Sequence, residues 1–236
     1  MKFSTKAIHI GQKPDEATGA VIPPVYLTST FAQSEPGVTK GYDYTRAGNP
    51  NYTNIEETLA SLENGKYATV FSSGLGAITA IASMLSSGEK VVAINDIYGG
   101  TYRLFTQVFE KFKIEFTQIS FSDLKEVEAA LKQKPKMIFL ESPTNPLLRT
   151  VDIKKIAALA KKYSVLTIVD NTFASPYFQN PLDLGADIVM HSSTKYLGGH
   201  SDLIGGVVVS NDAEIAKQIA FARKAIGLNP SPFDCW

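Results

Sequence analysis

Apolar runs of strand length alternate with amphipathic stretches of helix length along most of the 236 residues. The runs are KVVAIN (90–95), KIEFTQI (113–119), KMIFLE (136–141), SVLTIVD (164–170), ADIVMH (186–191) and IGGVVVS (204–210), and the middle ones are almost uniformly apolar. A strand without a polar face is covered on both sides. Helical periodicity marks TNIEETLASLE (53–63), LGAITAIASMLSS (75–87), GTYRLFTQVFEKF (100–112), DLKEVEAALKQK (123–134) and DIKKIAALAKKY (152–163). Strand, helix, strand in repetition predicts an α/β fold, a mainly parallel sheet wrapped by helices. The link from 191 to 204 is too short and too rich in glycine for a crossover helix, so the last strand is expected to pair antiparallel. The first fifty residues carry Pro23, Pro24, Pro36 and Pro50 with little periodicity, and they read as an extended N-terminal arm (1–50) that lies on something else. No internal repeat is visible.

Composition narrows the partners. With 44% hydrophobic and 19% charged residues the chain has material for one large core. Lys plus Arg and Asp plus Glu number 23 each and neither sign forms a block, so nothing points to nucleic acid or an anionic membrane and a small-molecule partner is expected. MKFSTKAIHIGQ lacks the apolar centre of a signal peptide, and no run approaches the ~18 apolar residues of a membrane helix, which makes a cytoplasmic location the expectation. Cys235 is the single cysteine and the histidines number three, so neither a disulfide within the chain nor a metal site is expected; His191 and His200 read as structural.

In open α/β sheets ligands sit beyond the carboxyl ends of the strands. Four places there carry chemistry. SSGLGAITA follows ATVF and leads small residues into a helix, which reads either as an anion cradle or as an ordinary N-cap. Its Gly74-x-Gly76 lacks the third glycine of a dinucleotide fingerprint, Thr79 standing there. Tyr98 precedes a Gly-Gly turn, as core filler or as an aromatic face; Asp170 ends a strand, as a cap or as a buried carboxylate. Glu141 also closes a strand, and capping or a salt bridge is its default reading. Lys195 sits among the hydroxyls of Ser192, Ser193 and Thr194, as a surface lysine or as an amine held for use. Together the four match one ligand, pyridoxal 5′-phosphate: phosphate on the helix start, ring under the tyrosine, aspartate at the ring nitrogen, lysine in Schiff-base linkage.

YDYTRAGNP, SSGLGA, DIYGGTYRLF, ESPTNP, the continuous TIVDNTFASPYFQNPLDLGADIVMHSSTKYLGGHSD and the closing PFDCW resemble, in order and spacing, the Cys/Met metabolism family of pyridoxal-phosphate enzymes. The likeness runs from the arm to the last residue, and the cystathionine γ-lyase and γ-synthase branches are nearest. It implies an aspartate-aminotransferase-like architecture (fold type I), with the large cofactor domain over 51–236 and a small C-terminal domain that is not among these residues. It implies that Lys195 carries the cofactor and moves protons, Asp170 pairs with the ring nitrogen and Tyr98 stacks on the ring. Ser73, Gly74, Leu75, Ser192 and Thr194 would hold the phosphate and Asn145 would lie near the ring oxygen. It further implies a homotetramer of two close dimers in which Tyr44 and Arg46 reach the neighbouring subunit's phosphate. The arginine that grips the substrate carboxylate in that family has no match in Arg46, Arg103, Arg149 or Arg223.

The same resemblance orders the reactions. Gly100 stands where methionine γ-lyases carry a cysteine, which argues against that branch. TGAVIPPVY and the arm look more like bacterial lyases, so γ-elimination on cystathionine, in the exchange of sulfur between cysteine and methionine, is expected. The alternatives are γ-replacement, as a γ-synthase or O-acetylhomoserine sulfhydrylase, and a fragment that binds the cofactor without turnover.

Overall fold

The uniformly apolar runs become the buried middle of a sheet. In the computed structural model, which describes residues 1–236, the elements follow in the order α1 (Phe3–His9), α2 (Pro50–Leu62), β1 (Tyr67–Phe71), α3 (Gly74–Ala82), β2 (Lys90–Ile94), α4 (Gly99–Arg103), β3 (Glu115–Ile119), α5 (Leu124–Leu131), β4 (Met137–Glu141), α6 (Ile153–Lys162), β5 (Leu166–Asp170), α7 (Ser175–Phe178), β6 (Ile188–His191), β7 (Gly206–Ser210), α8 (Ala213–Ile226) and α9 (Pro232–Cys235). The seven strands form one sheet in the order β1-β7-β6-β5-β4-β2-β3. All pairings from β6 to β3 are parallel, while β7 runs antiparallel to both its neighbours. Every residue of β4, β6 and β7 is buried, whereas edge strand β3 is half solvated and pairs Glu115 with Lys90 at 2.9 Å. This is the α/β, fold type I arrangement expected of the sequence, with the last strand reversed.

Two cores flank the sheet. The larger unites 35 buried residues, with Ile78 and Ile81 of α3, Val127 and Leu131 of α5 and Ile156 of α6 against β2, β4 and β5. The smaller sets Tyr52, Leu59 and Leu62 of α2 on Val70, Val189, Val207 and Val209. Helix α8 is an addition to the pattern read above. Asp212 caps it by accepting from Glu214 and Ile215 N–H, and Gly227 ends it at φ +83°, where a side chain would be strained.

Three expectations are corrected. The helix expected over 100–112 is α-helical only over α4, then passes through a π-helical turn (Leu104–Val108) and a 3₁₀ turn (Phe109–Phe112). Thr106 Oγ1 donates back to Tyr102 O at 2.8 Å, a bond that bends helices, and Phe105 stacks flat on Phe116 at 4.8 Å. The helix expected over 75–87 stops at Ala82. The arm is not extended throughout, since residues 3–9 form α1, too short for its periodicity to register. Phe3 meets Tyr177 edge-on and the Ile10 carbonyl accepts from Thr58. Farther on, Asn49 and Asn51, both buried, bond to Tyr26 and Pro24, pinning the arm to the start of α2. No helix is long and apolar enough to cross a membrane.

One buried ion pair joins these parts. Arg223 of α8 donates to Glu56 Oε1 at 2.5 Å and to Ala47 O at 3.1 Å, and it lies over the Tyr52 ring. Glu56 Oε1 also accepts from Val70 N–H. Burial pushes the Glu56 carboxyl upward and the guanidinium pulls it back. Removing one partner strands the other, so Glu56→Ala is predicted to cost about 3–5 kcal/mol, read from denaturant midpoints at unchanged m. The double replacement Glu56→Leu with Arg223→Met should recover most of that loss, and an additive double mutant would rule the coupling out.

Candidate active site

Of the six strands that end on the same side of the sheet, β1, β2, β4, β5 and β6 lead into one site, and the reversed β7 begins there with Gly206. The segments that follow them enclose a cavity of about 710 Å³. Its wall includes Ser73, Gly74, Leu75, Tyr98, Asn145, Asp170, Ser192, Thr194 and Lys195, so nine of the residues selected from the sequence meet in one place. Tyr44 and Arg46 do not. They lie on the arm, where Arg46 stacks 5.2 Å from the Tyr44 ring and donates to the Lys224 carbonyl of its own chain at 2.7 Å.

The start of α3 satisfies both readings given to it. Ser73 is the N-cap, its Oγ accepting from Gly76 N–H at 3.0 Å. The N–H groups of Gly74 and Leu75, the first two of the helix, have no partner in the helix and carry the positive end of its dipole. Glycine is needed because a Cβ on Gly74 would stand 2.8 Å from the Ser192 Cβ. The helix start is thus pressed against the loop that carries Lys195.

Asp170, 7% exposed, ends β5 with no basic group in an ion pair to it. Its Oδ1 accepts from Thr172 Oγ1 at 2.6 Å and from Thr172 N–H at 3.0 Å. Thr172 Oγ1 in turn accepts from Ser192 N–H at 2.9 Å, so one threonine clasps the ends of β5 and β6. Burial raises the Asp170 carboxyl, while the two Thr172 bonds and the nearby His191 oppose the rise. Thr172 was missed in the sequence, although a threonine two residues beyond a strand-ending aspartate is the spacing of such a local turn.

The Lys195 turn is fixed from outside. Thr194 Oγ1 accepts from Gly205 N–H at 3.0 Å and donates to its carbonyl at 3.2 Å, while the Lys195 carbonyl accepts from Gly199 N–H at 2.8 Å. His191 lies beneath this turn, its Nε2 2.5 Å from Glu63 Oε1 with both side chains 1% exposed, and Asn171 donates to the same oxygen at 2.8 Å. His200 is exposed, its Nδ1 2.9 Å from the Gly198 carbonyl. Of the two default readings of Glu141 the salt bridge is absent and capping holds in part: its Oε2 accepts from the backbone N–H of Tyr98, the residue at the N-cap of α4, at 3.0 Å.

The residues present fit pyridoxal 5′-phosphate. Free N–H groups at a helix start suit a phosphate, a buried carboxylate without a counter-ion suits a protonated ring nitrogen, and the Lys195 amine suits an aldehyde.

Comparison with known proteins agrees. The sequence pattern of the Cys/Met metabolism PLP-dependent enzymes matches residues 4–236. The chain is 49% identical over 234 residues to a probable cystathionine gamma-synthase of Herpetosiphon aurantiacus, covering 99% of this chain and 73% of that protein. It is 48% identical over 234 residues to a cystathionine beta-lyase of Lactococcus lactis, covering 99% and 62%. The crystal structure of cystathionine gamma-lyase from Lactobacillus plantarum, complexed with L-serine, superposes with a TM-score of 0.97 at 47% identity, covering 100% of this chain and 62% of that one. The chain therefore spans 62–73% of the length of these relatives. With its cavity and its sequence in agreement, the chain belongs to the Cys/Met metabolism family of PLP-dependent enzymes.

Proposed function

We propose that this chain carries the cofactor site of a carbon–sulfur lyase that acts on cystathionine by γ-elimination. The observation that carries the reading is the meeting of Lys195, Asp170 and the α3 start in one cavity. The choice of cystathionine is supported by the names of the relatives, and the choice of lyase by the arm and TGAVIPPVY. γ-Replacement is the second reading, favoured by the 49% identity to a probable gamma-synthase.

When bound, the cofactor withdraws electrons from the substrate's α-carbon and so makes its proton and its distant sulfur bond labile. The chain's residues supply the rest. Gly74 and Leu75 N–H, with the hydroxyls of Ser73, Ser192 and Thr194, would hold the phosphate. Asp170, kept anionic by Thr172 once a cation lies beside it, would hold the ring nitrogen protonated. Asn145 would steady the ring oxygen, and Tyr98 would cover the ring face and take a proton from the substrate ammonium. Lys195, displaced by the substrate amine, would move a proton between Cα and Cβ. Tyr44 and Arg46 would serve the neighbouring subunit of a cytoplasmic homotetramer, since the planar fork of arginine suits two phosphate oxygens.

Two experiments decide this. Incubated with cystathionine, the full-length protein should release cysteine, 2-oxobutanoate and ammonia; homocysteine with pyruvate would mean cleavage on the other side of sulfur. Formation of cystathionine from an O-acylated homoserine and cysteine, without release from cystathionine, would favour replacement. Borohydride reduction followed by peptide mapping should place the cofactor on Lys195, and an adduct chiefly on another lysine overturns the site.

A third experiment mixes subunits. Arg46→Ala and Lys195→Ala proteins should each be nearly inactive, and mixed dimers should regain part of the activity because one site receives neither defect. If mixed dimers form and nothing returns, Arg46 acts within its own chain.

A further inference from the structure

Two carboxyl groups line one side of the cavity, and a third lies behind them, near enough to raise one of the two. Asp96 follows β2, Glu141 ends β4 and Asp170 ends β5; they are 9%, 3% and 7% exposed. Glu141 and Asp170 stand directly opposite each other in the parallel register of β4 and β5. None of the three takes part in the chain's ion pairs, and no cluster here has the makings of a metal site. Asp96 is engaged by Thr144 Oγ1 at 2.5 Å, and Asp170 by Thr172. Glu141 is held differently, its Oε2 taking the backbone N–H of Tyr98, the residue that opens α4.

We propose that Glu141 is a positioning residue for the cofactor site: as an uncharged acid it fastens the turn carrying Tyr98 to the strand ends carrying Asn145 and Asp170. The proposal rests on the cofactor reading above. Adjacent buried carboxylates do not both ionise, so the pair keeps one proton, and two facts assign it. Asp170 has two Thr172 donors on one oxygen and the field of His191 in its favour. Glu141 is pushed up to about 9, first by burial and then by the charge of Asp170, against the pull of the N–H of Tyr98; Asp96 adds to the rise and the N–H of Asn145 opposes it. An ionised Glu141 would add a second negative charge where one cation is to be bound. A neutral one keeps an acceptor for Tyr98 and leaves Asp170 as the only counter-ion to the ring.

The sign of the pH effect follows. An acid that holds its proton more tightly when folded costs stability only where the unfolded chain has already ionised. For Glu141 that cost starts near the ordinary 4.5, grows with pH and levels off near 9. The groups facing it are Asp170 from β5 and Asp96 and Tyr98 from beyond β2, with Lys195 across the cavity; all are kept in a Glu141 variant, so a difference between variants isolates this one proton.

The test uses the full-length protein freed of cofactor, with Glu141→Gln as the neutral isostere and Glu141→Ala. Titration with pyridoxal 5′-phosphate, followed by absorbance, should give Gln an affinity within about threefold of the parent, and Ala an affinity weaker by about tenfold or more because the Tyr98 N–H loses its acceptor. The melting temperature of the cofactor-free Gln variant should match the parent near pH 4.5 and rise above it increasingly toward pH 9. Gln falling as low as Ala would show that the charge matters and overturn the proposal. So would an Ala variant with parental affinity, or a Gln melting difference flat with pH. Should Ala fail to fold, the Gln titration and melts still decide. Failure of the parent to bind pyridoxal 5′-phosphate would refute the cofactor reading, while the melts would continue to judge the state of Glu141.

Discussion

A carboxylate buried without a cation governs this site. The end of β5 lies between β4 and β6, and Asp170 keeps only 7% of its surface exposed, so it is largely withdrawn from water and costly until something positive arrives. Its immediate relief is local, in the hydroxyl and N–H of Thr172. Because the same hydroxyl receives the N–H of Ser192, the arrangement that eases Asp170 also sets the start of the loop carrying Lys195. Counter-ion and amine are thus coupled through one side chain, and a protonated heterocycle with an aldehyde answers both.

The reversed strand supplies the other half of the geometry. Were β7 parallel, its first residue would lie at the opposite edge of the sheet. Running backwards, it brings Gly205 and Gly206 to the site, where Gly205 holds Thr194 and Gly206 lies so near the start of α3 that a Cβ would stand 2.2 Å from the Ser73 carbonyl. The phosphate end of the cavity is therefore made by close approach of backbone to backbone, which only small residues permit.

Much of this was legible in the chain, because buried parallel strands leave long apolar runs and the residues that end them fall where ligands bind. ADIVMH, the short glycine-rich link and IGGVVVS together foretold the reversal of β7. The exceptions have physical causes. Periodicity cannot register a seven-residue α1, and it cannot tell the π-helical turn at Leu104 from α-helix, since the apolar residues still fall on one side. Thr172 and Glu141 escaped for another reason. The turn of Thr172 on Asp170 is local, but the bonds from Ser192 to Thr172 and from Tyr98 to Glu141 depend on which strand ends are neighbours, and the order β6-β5-β4-β2 is a property of the folded sheet that no local pattern contains.

The sheet order also bears on how the protein folds. The helix-linked strands from β2 to β6 join through short excursions, but β1 must wait for β7, with Phe71 opposite Gly206 across most of the chain. Contacts of such long reach form slowly, since loop closure comes before any gain. The start of α3 hangs from β1 while the Lys195 turn hangs from β6 and β7, so the two ends of the cavity meet only when that last pairing closes. A chain caught before that step would hold its counter-ion and its aromatic cover in place and still have no cradle for an anion. The cradle for an anion is thereby tied to the β1–β7 pairing, the one with the greatest sequence separation in the sheet.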